Sequence, residues 1–208
     1  GVRVGDGTEI GPGVLIERNT EIGAGCRIFQ GAVLGSDPQD LKFDGEETWL
    51  RIGDRTQIRE YATLNRGTAA SGETRVGEDC LLMAYVHVAH DCQLGDRINI
   101  SNATQIAGHV TIGDWAILSG LVAVHQFVRI GRHAFVGGLS RISQDVAPFC
   151  RVSGNPPKIY GLNTVGLERR GFSSESRVAL KRAYRTLFQS ELNLSQALVR
   201  LREEVPME

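Results

Sequence analysis

Residues 76–142 read VGEDCLLMAYVHVAHDCQLGDRINISNATQIAGHVTIGDWAILSGLVAVHQFVRIGRHAFVGGLSRI. An aliphatic residue stands at every sixth position of this stretch, from Val76 through Leu82 and Val88 to Ile142. A period of six matches neither the period of an α-helix nor the alternation of a simple strand. It is typical of an all-β solenoid, a parallel β-helix of hexapeptide repeats in which about eighteen residues make one three-sided coil.

The same period runs through the first part of the chain. It predicts inward-facing side chains at Val4, Ile10, Ile16, Ile22, Ile28, Leu34, Ile52, Ile58 and Leu64. Two insertions, residues 35–51 and 69–75, break the phase of the repeat. Because long loops on a rigid solenoid often carry function, we expect a functional role for the longer insertion.

The repeat ends near Cys150. We therefore divide the chain into a β-helix domain, residues 1–153, and a C-terminal region, residues 154–208, with an exit loop and a small α-helical tail. The apolar spacing predicts one helix from residue 174 to about 189 and a second over 195–204. Basic residues crowd this region, at Arg169, Arg170, Arg177, Lys181, Arg182 and Arg185. They predict either a solvated face or a contact with an acidic protein partner.

Composition excludes several classes of protein. The 208 residues carry a formal net charge of −1, which gives no basis for nucleic-acid binding. No apolar run approaches the roughly 20 residues of a membrane span, and residues 1–7 are unlike a signal peptide. We therefore expect a cytoplasmic protein without a membrane span. The repeat already runs at Val4, which leaves a longer natural N-terminus open.

The four cysteines are Cys26, Cys80, Cys92 and Cys150, and they form no CxxC pair. The first three fall at the same small-residue position of the repeat. We interpret them as reduced cysteines of the core, with zinc binding and disulfide formation as the alternatives.

Stacking of the coils predicts where the histidines lie. Residues eighteen apart stack in adjacent coils, so His87, His90, His109 and His125 gather at one edge of the solenoid, whereas His133 does not. Gly108 and then Gln126 stand above His90, and His109 stands above Asp91. One small area thus combines an imidazole, a carboxylate and a glycine backbone.

Acyl transfer to an alcohol needs those three groups. We predict that His90 is the general base, because imidazole titrates near neutral pH. Asp91 would orient the ring, and the Gly108 N–H would stabilise the oxyanion. No serine or cysteine nucleophile is evidently paired with these histidines, so we favour direct attack by the substrate hydroxyl.

Two other interpretations compete with this one. Three histidines can hold zinc, but the ligand spacing of the β-helix carbonic anhydrases is missing, so we expect no metal and no other cofactor. A non-enzymatic β-helix scaffold would leave the clustering of the histidines unexplained.

Several segments resemble the UDP-N-acetylglucosamine O-acyltransferase family of lipid A biosynthesis. They are PQDLKF at 38–43, IGDR at 52–55, HVAHDC at 87–92, AGH at 107–109, VHQF at 124–127 and NTVGLERRGFS at 163–173. The resemblance implies a left-handed winding of the β-helix, a homotrimer, and a 3-hydroxyacyl donor on acyl carrier protein, whose acidic surface suits the basic tail. The acceptor would be the 3-hydroxyl of UDP-N-acetylglucosamine.

The resemblance also implies roles for individual residues. Asp40, Lys42, His87, His109, His125 and Gln126 would line the sugar-nucleotide and acyl site, and Asn163, Arg169 and Arg170 would contact UDP. Asn102, Gly120 and Gly138 stack in one column. The residue at the place of Gly138 limits acyl length in the family, so a glycine there implies a long chain. A plain solvated turn is the alternative.

The sequence departs from the family at two of these places. Asn65 stands where a histidine is common, and Val165 stands where an acidic residue is common. The details of nucleotide contact and the acceptor sugar are therefore open, and a 3-amino sugar acceptor is an alternative. An acetyl-CoA-dependent hexapeptide acyltransferase is a separate alternative.

Overall fold

The structure, a computed structural model, describes residues 1–204. Its architecture is the predicted left-handed parallel β-helix, with three sheets as the sides of a prism and helices at the C-terminal end. The last four residues of the predicted C-terminal region lie outside the described residues.

Short strands stack in each sheet, and all but one pair run parallel. Sheet 1 contains β1 Val2–Val4, β4 Thr20–Ile22, β7 Trp49–Ile52, β10 Glu73–Val76, β13 Gln93–Leu94, β16 Thr111–Ile112 and β19 Arg129–Ile130. Sheet 2 contains β2 Glu9–Ile10, β5 Arg27–Ile28, β8 Gln57–Ile58, β11 Leu81–Leu82, β14 Asn99–Ile100, β17 Ile117–Leu118, β20 Phe135–Val136, β22 Cys150–Ser153 and β23 Lys158–Leu162. Sheet 3 contains β3 Leu15–Ile16, β6 Val33–Ser36, β9 Thr63–Asn65, β12 His87–Val88, β15 Gln105–Ile106, β18 Ala123–Val124 and β21 Arg141–Ile142.

The strand register confirms the predicted stacking. His87 pairs with Gln105 of the next coil, and Gln105 pairs with Ala123. Below this region His87 pairs with Thr63, because the insertion at 69–75 lengthens that coil. Both insertions join a strand of sheet 3 to a strand of sheet 1, so both project from the same corner of the prism.

The predicted inward positions build one continuous core. From Val76 to Ile142 every aliphatic residue at the sixth position is buried. Val4 and Ile10 stay in register with the buried Ile22 and Ile28, but they are 43% and 47% exposed because the first coil has a neighbouring coil on only one side. Truncation of one buried side chain such as Ile100 to alanine is expected to cost about 2–5 kcal/mol.

Between residues 154 and 204 the C-terminal region holds three helices, α1 Thr164–Arg169, α2 Ser174–Phe188 and α3 Leu194–Glu204. The last two match the predicted helices, and the Ser173 hydroxyl caps α2 by accepting the Ser176 N–H at 3.1 Å. The sequence pattern did not predict α1 or the antiparallel strand β23. Since β23 extends sheet 2 beyond residue 153, the division at 153/154 stays a prediction. Among the described residues, no helix has the length and apolar character needed to cross a membrane.

Candidate functional site

The predicted base lies where sheet 3 turns into sheet 1, at an edge that we call the histidine corner (His90, Asp91, Gly108, His109). His90 follows β12, and its side chain is 13% exposed. Its Nδ1 lies 2.7 Å from Oδ2 of Asp91. Asp91 is the corner residue itself, with φ of 60°, and this conformation places its side chain beside the preceding ring.

The Asp91 carboxylate is buried and fully engaged. It accepts the Thr68 N–H at 2.9 Å, the Thr68 hydroxyl at 2.7 Å and the Ser71 hydroxyl, in addition to His90. Burial raises the pKa of Asp91, but the hydrogen bonds from Ser71, His90 and Thr68 outweigh it and lower the pKa to about 2. An ionised Asp91 holds the proton of His90 on Nδ1, which leaves Nε2 to take a substrate proton.

Gly108 packs directly against this imidazole. A Cβ at this position would lie 2.6 Å from Cε1 and 2.8 Å from Nε2 of His90, so only glycine leaves the ring in place. At the equivalent turn position, the N–H groups of Ala24, Glu78 and Asp96 are bound by an aspartate of the coil above.

Gln126 stands above Gly108, where those other turns have the aspartate. Within residues 1–204, no hydrogen bond takes the Gly108 N–H. This N–H is therefore able to bind an oxyanion beside Nε2.

His109 completes the corner. Its ring stacks on Phe127 with centroids 4.5 Å apart and meets His90 edge-on at 5.1 Å. Its Nδ1 lies 3.8 Å from Oδ2 of Asp91. The ligand atoms of His90, Asp91 and His109 lie within 4.8 Å of one another, so these residues could hold a metal ion. The expectation of no metal stays a prediction.

Two more of the predicted histidines lie at this corner. Nδ1 of His87 is 2.7 Å from the Thr63 hydroxyl, and burial together with the nearby His90 lowers the pKa of His87. His125 is exposed and stands one coil above Ala107, with its Nδ1 3.1 Å from the Gln126 carbonyl.

The long insertion carries Asp40 and Lys42 and projects from the same edge of the prism as the histidine corner. Oδ1 of Asp40 accepts the Lys42 N–H at 3.0 Å, which fixes a tight turn. Glu46 of the same loop accepts the Ala69 N–H at 3.2 Å, so the loop rests on the second insertion. Lys42 is exposed and Asp40 is half-buried, and both are accessible to a ligand.

Asn163, Arg169 and Arg170 lie elsewhere, at the corner between sheets 1 and 2 that we call the arginine corner. They line a cavity of about 430 Å³ together with Arg151 and Val165.

Two of these residues also have structural contacts. Asn163 caps α1 through the Gly166 N–H and donates to the His133 carbonyl. Arg170 stacks on the Trp115 ring at 5.1 Å.

Asn102, Gly120 and Gly138 form a third area, the glycine corner, between sheets 2 and 3. The Leu139 N–H donates to the Gly120 carbonyl, and the Leu121 N–H donates to the Asn102 carbonyl, so the predicted column is present. Gly138 is exposed. One protomer therefore separates the predicted residues among three corners.

The cysteines do not join the site. All four are free and buried. Burial raises the pKa of the Cys80 thiol to about 11 and that of Cys92 to about 12, which makes them poor nucleophiles. The residues that the sequence analysis missed are Thr68 and Ser71, since the insertion that contains Ser71 breaks the repeat on which the stacking rule depends.

Known proteins resemble this chain in both sequence and fold. A family model described as Udp N-acetylglucosamine O-acyltransferase, domain 2, matches residues 145–208. A protein of Synechocystis sp. called acyl-[acyl-carrier-protein]--UDP-N-acetylglucosamine O-acyltransferase is 51% identical over 90% of this chain and 68% of its own length. A protein of the same name from Myxococcus xanthus is 51% identical over 89% of this chain and 72% of its own length.

Two solved structures have the same architecture. The UDP-N-acetylglucosamine acyltransferase of Francisella novicida has a TM-score of 0.95 and 41% identity, covering 97% of this chain and 75% of its own. The Acinetobacter baumannii protein has a TM-score of 0.96 and 40% identity, covering 98% of this chain and 80% of its own.

Proposed function

This chain belongs to the UDP-N-acetylglucosamine O-acyltransferase family, and from that membership we propose the reaction that it catalyses. It transfers a 3-hydroxyacyl group from acyl carrier protein to the 3-hydroxyl of UDP-N-acetylglucosamine, the first step of lipid A biosynthesis. The observation that supports this most is the His90–Asp91 pair against the backbone of Gly108.

The proposed mechanism uses the ionised carboxylate of Asp91 and the free Nε2 of His90. Nε2 of His90 takes the proton of the sugar hydroxyl as its oxygen attacks the thioester carbonyl. The oxyanion of the tetrahedral intermediate accepts the Gly108 N–H. When the intermediate collapses, the C–S bond breaks and the leaving thiolate takes the proton back from His90. Asp91 stays ionised throughout and stabilises the imidazolium.

The remaining predicted residues bind substrate in this proposal. Around the sugar nucleotide and acyl group we place Asp40, Lys42, His87, His109, His125 and Gln126, and around UDP we place Asn163, Arg169 and Arg170. Arginine suits the diphosphate because its planar fork binds phosphate oxygens bidentately.

We propose a homotrimer because the three corners of one protomer lie between different pairs of sheets and face outward in different directions. Neighbouring corner residues such as Asp91, Arg97 and Ala103 are six residues apart along the chain, so corners lie up to about 20 Å from each other. Three copies around an axis would bring the histidine corner of one protomer to the other corners of its neighbour.

Mixing two inactive variants tests this arrangement. Co-expression of His90→Ala with Arg169→Ala/Arg170→Ala should restore measurable activity, since some interfaces then combine intact residues from both chains. Size measurement by light scattering should give three chains per particle. No restored activity in a trimeric mixture would place each site within one protomer.

Removal of the base tests the reaction itself. His90→Ala should lower kcat by about 10²–10⁴-fold, the usual contribution of a general base. The assay uses UDP-N-acetylglucosamine with 3-hydroxyacyl carrier protein and detects the acylated sugar nucleotide by mass. Near-normal turnover by the folded variant would contradict the mechanism.

The same assay separates the alternatives. A UDP sugar with a 3-amino group, or acetyl-CoA as donor, should give lower kcat/KM than the proposed pair. A higher value with either compound would make that alternative the function. We also propose a cytoplasmic location, which the four free cysteines and the two substrates support.

A further inference from the structure

A buried arginine lies at the base of the long insertion. Arg66 is 1% exposed and follows β9, directly below the histidine corner. Its polar side-chain contacts within residues 1–204 are with the insertion: Nη1 donates to the Gly35 carbonyl at 3.2 Å, and Nη2 lies 2.5 Å from Oδ1 of Asp37. Its guanidinium also stacks on the Phe43 ring at 5.2 Å.

These contacts enclose the segment that carries the substrate residues. Asp37 and Phe43 flank residues 38–42, and Asp40 and Lys42 lie between them. Leu41 at the tip is fully exposed, so the tip itself has little support from packing. The guanidinium therefore fixes the two ends of this short segment from beneath.

Stability alone does not account for a buried arginine with this pairing. Nε finds no hydrogen-bond acceptor among the described residues, and the contact of Nη2 with Asp37 is an ion pair without hydrogen-bond direction. A well-packed apolar side chain commonly stabilises such a position at least as well. What the guanidinium supplies instead is one buried group that contacts the Gly35 carbonyl, Asp37 and Phe43 at the same time.

The neighbouring residues tie Arg66 to the catalytic pair. The Asn65 amide donates to the Asp37 carbonyl at 2.9 Å, and two residues after Arg66 the Thr68 N–H and hydroxyl hold Asp91. One short stretch of backbone thus links the loop that carries Asp40 and Lys42 to the carboxylate that orients His90.

We propose that Arg66 is a positioning residue that holds the loop carrying Asp40 and Lys42 at a fixed distance from His90, an inference that rests on the proposed sugar-nucleotide function. Thr68 has the complementary task and positions Asp91. Loss of Arg66 therefore weakens substrate binding, whereas loss of the Thr68 hydroxyl slows the chemical step.

Steady-state kinetics separate these two effects. Arg66→Met should raise the KM for UDP-N-acetylglucosamine by about tenfold to a hundredfold, because a misplaced binding group costs that much. The kcat and the KM for the acyl carrier should change much less, and Arg66→Lys should recover part of the loss. Thr68→Val should lower kcat with little effect on that KM.

The exposed end of the contact provides variants that do not disturb the core. Asp37→Asn, which keeps an acceptor oxygen for the guanidinium, and Phe43→Leu should raise the same KM several-fold in a protein that stays folded. Arg55→Met is the matched control, since it removes an arginine that pairs with Glu78 and Asp79 at another corner. It should leave the KM unchanged.

Proteolysis gives a readout that does not depend on activity. Chymotrypsin should cleave at Leu41 faster in Arg66→Met and Asp37→Asn than in the natural protein and in Arg55→Met. An unchanged KM and cleavage rate in folded Arg66→Met would overturn the proposal, as would equal changes in both KM values and kcat. Absence of acylated UDP-N-acetylglucosamine with the natural protein would instead overturn the proposed function, while faster cleavage would still support the role of Arg66 in loop order.

Discussion

Asp91 illustrates how single residues define the reactivity of this site. Three hydrogen bonds from Thr68 and Ser71 keep a buried carboxylate ionised, and the fourth, from His90, sets the tautomer of the base. A carboxylate in the same place without those donors would have a raised pKa and would orient the ring poorly. The donors are therefore as necessary to the chemistry as the carboxylate.

At Gly108 the missing side chain is the functional feature. Gly108→Ala should lower kcat at least about a hundredfold, because its Cβ would displace the His90 ring and block the N–H. The measurement is kcat per folded protein. Gly113→Ala is the matched control, as it crowds the Arg132 backbone at another corner, and it should lower the melting temperature without a selective loss of kcat. Equal kcat in the two variants would remove Gly108 from the mechanism.

Gly138 governs acyl length in a further prediction. A Cβ there meets only the Gly120 carbonyl at 3.2 Å and Ser119 at 3.8 Å, so a larger side chain would project into the open column. Gly138→Met should shift kcat/KM toward shorter 3-hydroxyacyl donors by tens of fold, since each methylene excluded from burial costs about 0.8 kcal/mol. Leu139→Met, at the exposed neighbouring residue, should leave the ratio unchanged. An unchanged ratio in Gly138→Met would place the acyl chain elsewhere.

At the scale of elements, aromatic side chains of successive corners stack into a ladder that joins the coils to the helices. Trp115, His133 and Phe149 stack in consecutive coils, and Phe172 packs edge-on against the last two. Arg170 lies over Trp115 with its Nη1 3.3 Å from Nδ1 of His133. This ladder attaches the segment around α1 to the solenoid, so it also orients the arginine corner.

The His133 ladder makes folding stability depend on pH. Burial, followed by the charges of Arg170 and Arg132, lowers the pKa of His133 to about 4, while Asp114 acts weakly in the opposite direction. The pKa of His133 in the folded protein lies below its ordinary value of 6.5, so the unfolded chain binds this proton more readily. The stabilisation by neutral His133 is therefore fully present above pH 6.5, and the free energy of unfolding decreases as the pH falls toward 4.

Urea unfolding at several pH values tests this dependence. His133→Phe keeps the stack but has no group to protonate, so its stability should fall less between pH 6.5 and pH 4 than that of the natural protein. Leu121→Phe, which adds a ring at an exposed corner without removing a titratable group, serves as the control and should retain the natural slope. A His133→Phe slope equal to the natural one would assign the pH dependence to other groups.

At the scale of the whole molecule, charge and function are segregated. The formal net charge is −1, yet α2 carries Arg177, Lys181, Arg182 and Arg185 on a short helix. Three of these side chains, Arg177, Lys181 and Arg185, line a cavity of about 460 Å³ between α2 and β23. Arg177 also pairs with Glu168 at 3.4 Å. Such a local excess of positive charge on a nearly neutral protein suits an acidic partner.

Charge reversal on α2 tests that partner. Lys181→Glu/Arg182→Glu/Arg185→Glu should raise the KM for the acyl carrier and weaken its dependence on salt, because the attraction is electrostatic. The KM for UDP-N-acetylglucosamine should barely change. Arg3→Glu, on the first strand, is the control and should alter neither value. Equal effects on both substrates would indicate a folding defect.

The sequence by itself determined the solenoid and the neighbours of His90. A constant period of six fixes the length of each coil, so arithmetic alone places Gly108 above His90 and His109 above Asp91, and the strand register agrees. Such prediction works because every repeat contributes the same number of residues between equivalent positions. It succeeds best from Val76 to Ile142, where no insertion interrupts the count.

Only the tertiary structure decided the rest. It identified Thr68 and Ser71 as the donors to Asp91, and Arg66 as the contact beneath the long loop, because both insertions interrupt the period that makes residues comparable. It also placed Arg169 and Arg170 at a different corner from His90. The positions of α1 and β23 depend on how they pack against the solenoid, because these elements lie outside the hexapeptide repeat. The period of six determines where residues inside the repeat lie. Residues outside the repeat are positioned by contacts between segments that are distant in the sequence, and a sequence period does not predict such contacts.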